Sequence, residues 1–198
     1  REVIRVVTPG TVIESNLLEE KKNNYIMSVY KKGIFFGVSV CDISTGEFYA
    51  TGIEEDNNFE RLLDEISRFT PAEMIVNDFL YQSEQEISTV KERFGLYISK
   101  VDDTTFSEDN KEIQNNYEIV TTSGKKIDTL ENSLVVASIN GLLNYLTATQ
   151  KMKLDHINKI EIYQTTKYMA LDINARRNLE ITEKMRDKTK KGTLLWVL

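Results

Sequence analysis

Between Asn24 and Phe69 the apolar pattern changes period, and that change limits the available folds more than any other feature of the sequence. Residues 24–30 and 34–42 are rich in Val, Ile, Tyr and Phe, with Lys31-Lys32-Gly33 between them, a composition that predicts a β-hairpin. After Ser44-Thr45-Gly46, the run EFYATGI alternates Phe48 and Ala50 with Glu47 and Tyr49, predicting a third antiparallel strand. Phe59, Leu62, Leu63, Ile66 and Phe69 then recur at steps of three and four, the spacing of one apolar helix face. Three period-two segments followed by one of period 3.6 call for a helix laid against a sheet.

The pattern continues in the same grammar. Pro71 ends the helix, EMIVND supplies a short buried strand, SEQEISTVKERFG a helix with Gly95 at its stop, and LYISKV another strand. A weaker helix follows over Ser107–Tyr117, where Ile113 and Tyr117 point inward at i and i+4 and leave Glu112 and Asn116 outside. The order βββαβαβα is that of a ribonuclease H-like three-layer α/β/α sandwich. The polar stretch around TTSGKK marks the expected boundary. Residues 1–127 are assigned to the sandwich, entered through a linker over 1–23. Residues 128–198 are assigned to an all-α segment that opens with the helical run Leu134–Gln150 and contains one brief extended piece, KIEIYQ.

Charge and composition remove several function classes. The 198-residue chain carries a net charge of −6, so it has no global attraction for phosphate. Residues 173–192 hold seven Lys/Arg against three Asp/Glu, a local +4 that leaves −10 on the remainder. The longest apolar run, IFFGVSV, is far short of the roughly 20 residues of a membrane helix. A single cysteine, Cys41, excludes an internal disulfide and a multi-thiolate metal site, which fits a reducing, cytoplasmic setting. Both ends read as cut from something longer.

Few residues suit catalysis. His156 is the only histidine, so neither a histidine-based triad nor a two-histidine metal site can be assembled. SGKK lacks the upstream glycine of a P-loop and the Ser or Thr that would follow the lysine, and reads as a plain turn. Cys41 sits in an apolar strand, as a small hydrophobe. Asp42, Asp78 and Asp102 lie near strand ends, where a two-metal nuclease of this shape would hold its ions. The first strand, however, lacks the leading carboxylate such an enzyme needs, and Asp42 precedes a turn, where Asp commonly bonds backbone. A metal-dependent, ribonuclease H-like nuclease is therefore the alternative reading and not the leading one.

Three motifs carry a resemblance. LDINARRNLEIT followed by GTLLWVL, REVIRVVTPGT at the start, and VCDISTGEFYAT in the middle together resemble the MutS family of DNA mismatch-repair proteins. The resemblance implies a connector domain of ribonuclease H-like fold running into a helical core, taken from a protein whose mismatch-reading domain lies before it and whose ATPase lies after it. It implies no catalytic residue, cofactor or metal here; ATP and Mg²⁺ belong to the parent protein. It further implies a docking surface for MutL, placed on Glu112 and Asn116, and contact with mismatched DNA only through the parent, itself a homodimer with no membrane association. Arg177, Asn178 and Glu180 are then expected as structural joints on a helix capped by Asp172, facing parts of the protein beyond residue 198.

Overall fold

A computed structural model describes residues 8–11, 23–53, 58–109, 111–121, 133–150 and 156–165, with scattered positions from 175 onward. The expected hairpin forms from β1 (Tyr25–Lys32) and β2 (Phe35–Asp42), paired antiparallel from Tyr25 opposite Asp42 to Lys32 opposite Phe35. Gly33 opens the two-residue turn at φ +66°, where a side chain would be strained. β3 (Glu47–Ile53) continues the meander against β2. The apolar stripe becomes α1 (Asn58–Phe69), with Leu62 and Ile66 completely buried.

β4 (Glu73–Val76) then returns parallel to β1, and β5 (Tyr97–Lys100) lies parallel to β4. Between them stand the short α2 (Asp78–Tyr81) and α3 (Glu84–Phe94), which Gly95 terminates at φ 62° with its N–H on the Lys91 carbonyl. The remaining elements are α4 (Lys111–Asn116), β6 (Glu118–Thr121), α5 (Ser133–Gln150) and β7 (Lys159–Ile162). The sheet runs β5-β4-β1-β2-β3-β7-β6, so the five expected strands lie side by side and two further parallel strands extend them at the β3 edge.

Two cores fill the layers. On one face Met27, Val29 and Val38 meet Leu62, Ile66 and Val90 of α1 and α3; on the other Ile26, Cys41 and Ile75 meet Ile139, Leu142 and Leu146 of α5. Alternate residues of β1 thus serve opposite cores, as strand geometry dictates. The division expected at residue 127 runs between β6 and α5, two parts of this same sandwich. α5 is the layer covering β1 and β2, and β7 lies between β3 and β6. The sandwich extends to Tyr163, whose N–H donates to the Ala50 carbonyl at 3.0 Å. An apolar run such as Leu134–Leu143 reads alike as the start of a separate bundle or as a buried layer, so only packing distinguishes them.

Contact between α5 and the sheet is unusually close at small residues. A Cβ on Gly37 would fall 1.9 Å from the Leu134 carbonyl oxygen. Nearby, Ser39 Oγ donates to the Ser138 carbonyl at 2.8 Å.

Candidate functional site

The strand-end aspartates do not converge. Asp42 ends β2 opposite Tyr25, whereas Asp78 follows Asn77, which is bonded to Lys31 near the other end of β1. Six residue steps along β1 separate those levels, roughly 20 Å at about 3.3 Å each. Asp42 is buried and fully occupied locally: Oδ1 accepts the Ser44 N–H at 2.8 Å and its hydroxyl at 2.6 Å, and Oδ2 accepts the Asn24 N–H at 3.1 Å. Asp102 accepts the Thr104 hydroxyl at 2.6 Å and N–H at 2.9 Å, bonds that hold its carboxyl below the ordinary range. Asp78 pairs with Lys100 at 2.9 Å, and its N–H donates to Asp103. Each aspartate makes a local turn, cap or pair.

The middle of β1 is occupied as well. Its completely buried Ser28 stands opposite Ser39, beneath α5, so a helix covers the strand on which a nuclease would present its leading carboxylate. Among the described residues no group of three His, Cys, Asp or Glu is placed to hold a metal. His156 is exposed and its Nε2 bonds the Ile43 carbonyl at 2.7 Å; SGKK lies outside the described residues.

α4 is a better-built surface. Ile113 is wholly buried beneath it and Tyr117 half-buried at its end, while Glu112 and Asn116 are exposed. Its approach is pinned from α5: Asn140 Nδ2 donates to the carbonyls of Ser107 and Asp109 at 2.7 and 2.8 Å, and Asn144 Nδ2 to that of Thr105 at 2.9 Å. Asp109 Oδ1 accepts the Lys111 N–H at 3.0 Å, closing the first turn of the helix. Lys32 Nζ reaches Glu108 at 2.7 Å and ties the same stretch to β1. Six residues could not hold a helix unaided; buried Ile113 and these bonds hold it. Sequence reasoning placed Glu112 and Asn116 outward but missed Asn140 and Asn144. Their signal was two amides one turn apart in the largely apolar stretch Leu134–Leu146.

The expected joint is less regular than a single helix. Asn178 is helical and exposed, and Leu179 N–H donates to the Ala175 carbonyl at 2.9 Å. Then the chain turns at Leu179 and Glu180, with Glu180 half-buried at φ +46°, so the helical turn ends at Asn178. Arg177 and Asp172 lie outside the described residues.

These elements coincide with a known domain. The family model of MutS domain II matches residues 24–158, from the start of β1 through α5. The chain belongs to the MutS family. MutS relatives match it over its full length: the DNA mismatch repair protein MutS of Ruminiclostridium cellulolyticum at 46% identity, that of Acetivibrio thermocellus at 43% and that of Clostridium tetani at 41%. The chain spans 21–22% of those proteins' length. In this MutS domain II, β7 and the turn at Thr8–Thr11 fall outside the matched residues and are nevertheless packed into the sandwich.

Proposed function

We propose that this MutS domain II is the noncatalytic connector of a DNA mismatch-repair ATPase, and that the outer face of α4 is its docking surface for MutL. The observation that carries this reading is the pinned helix displaying Glu112 and Asn116 to solvent. A rigid helix loses little conformational freedom on binding, so it suits recognition better than a free loop of the same composition. Mismatched DNA, ATP and Mg²⁺ are bound elsewhere in the parent homodimer, in the cytoplasm. This domain relays relative motion between the parent's ends. Asn178 and Glu180, with Arg177, contact that remainder.

Calorimetric titration of the chain with the amino-terminal domain of MutL tests the docking. Glu112→Lys is expected to weaken binding about tenfold and steepen or invert its salt dependence, since a peripheral charge acts mainly on association. Asn116→Ala weakens it a few-fold. Glu92→Lys on α3, against the opposite face of the sheet, leaves it unchanged. Unaltered affinity in both α4 variants, or no binding by the chain where the intact parent binds, removes this surface.

A further inference from the structure

Glu73, the first residue of β4, has none of its surface exposed. A buried carboxylate is costly unless its lone pairs are filled. Here the donors come from three separate parts of the chain. Oε2 accepts the N–H of Gly10 at 3.1 Å; Oε1 accepts the Tyr145 hydroxyl of α5 at 2.7 Å and lies 3.5 Å from Ser99 Oγ of β5. Tyr145, pushed upward by burial and by Glu73, stays a protonated donor, and the Thr8 side chain bonds it in turn.

The segment bearing Gly10 is shaped for this place. Thr8 N–H donates to Thr11 Oγ1 at 2.8 Å and Thr11 N–H to the Thr8 carbonyl at 3.0 Å, closing a single 3₁₀ turn over Pro9–Thr11. Gly10 and Thr11 are buried, and Asn24 Nδ2 holds the Pro9 carbonyl at 3.1 Å. A Cβ on Gly10 would fall 2.8 Å from Ile26 Cβ and 3.1 Å from Glu73 Cβ, so the cradle admits only glycine without displacement. The turn contacts β1, β4 and α5 together.

We infer that Glu73 is a positioning residue that clips the turn Thr8–Thr11 into an internal docking site, fixing that turn on β4 and α5. Displacement of the chain ahead of Thr8 is then delivered to β4 and α5 at once, through one carboxylate. The inference is independent of MutL docking, because it concerns an intramolecular contact that does not involve α4.

NMR-detected amide exchange on the 198-residue chain tests it. In the unaltered chain the Gly10 amide is protected. Glu73→Ala is expected to speed exchange at Gly10 and Thr11 at least tenfold more than at Val38 and Val40 in the sheet. Glu73→Gln restores much of that protection, because its Oε1 still accepts from Gly10 while its amide donates to Tyr145. Gly10→Ala, with Glu73 intact, releases the turn by crowding and leaves the sheet amides protected, which keeps the test available if Glu73→Ala does not fold. Equal acceleration across turn and sheet in Gly10→Ala, or a Gly10 amide that exchanges freely in the unaltered chain, overturns the inference. So does a Glu73→Gln chain no better protected at Gly10 than Glu73→Ala.

Discussion

Asn77 and Lys31 are joined as though both belonged to paired strands: Asn77 Oδ1 accepts the Lys31 N–H at 3.1 Å, and its Nδ2 donates to the Lys31 carbonyl at 3.0 Å. The side chain prolongs the β4–β1 ladder past Val76, where the backbone turns away into α2. It also accepts the Leu80 N–H at 3.4 Å, so one amide ends a strand and caps a helix. Asn77→Ala leaves two buried backbone groups of Lys31 unpaired, an expected loss of roughly 2–4 kcal/mol. Asn77→Asp loses the donor and sets an acceptor against the Lys31 carbonyl, so it is expected to fare no better. Urea titrations with unchanged m-values measure both; a loss under about 0.5 kcal/mol in Asn77→Ala refutes the pairing's importance.

Two glycines, one on β2 beneath α5 and one within α5, separate backbone crowding from side-chain crowding. At Gly37 a Cβ meets the Leu134 carbonyl, which cannot move without shifting α5, and the expected cost of Gly37→Ala is about 1–3 kcal/mol or more. At Gly141 the Cβ meets the Phe106 ring at 2.4 Å, and a ring can turn. Alanine in a helix interior also gains about 0.5–1 kcal/mol over glycine, so Gly141→Ala is the milder change. Thermal melts of the two variants rank them, and the reverse ranking contradicts this account of the packing.

Cys41 is completely buried beneath α5, and burial, with Asp42 and Glu47 nearby, pushes its thiol far above the ordinary range. Thiolate is the reactive form, so the native chain is expected to resist Ellman's reagent. If reaction requires opening of the domain, it slows by about 10³ or more relative to the urea-unfolded chain, given the usual several kcal/mol of folding stability. Rapid native labelling of one equivalent would show that the α5 layer opens freely.

The hairpin, β3, α1 and α3 were legible because several residues carry their period, and the four-residue β4 and β5 because Pro71 and Gly95 end the helices before them. β6, Glu118–Thr121, is as short but follows α4 after one residue with no Pro or Gly between them, and it escaped. The role of α5 escaped for a different reason, since a helix apolar nearly all round does not say which neighbours surround it. Glu112 and Asn116 were legible as an outward pair, because Ile113 fixes the inner face. Glu73 was not, for a single carboxylate opening a short strand looks like a solvated strand end until Gly10, Ser99 and Tyr145 are seen around it.

Glu65 offers the clearest dependence on pH. It lies on α1 with its side chain almost wholly buried, accepting the Tyr163 hydroxyl at 2.5 Å, with Arg68 at 3.6 Å. Burial raises its pKa above the ordinary carboxylate value, while the Tyr163 bond and the Arg68 charge oppose the rise. Between the unfolded value of about 4.3 and the higher folded value, the native chain therefore binds more proton at this site than the unfolded chain. Stability from this group is full below the unfolded value and is lost as pH rises through the folded one. Glu65→Gln cannot show that loss, so its stability relative to the unaltered chain is expected to climb from about pH 4 upward and level off once Glu65 is ionised. Tyr163→Phe removes the opposing bond and shifts the midpoint of that climb to higher pH. Urea midpoints collected at successive pH values measure the difference, and curves for Glu65→Gln and the unaltered chain that stay parallel across the window would place Glu65 at its ordinary value.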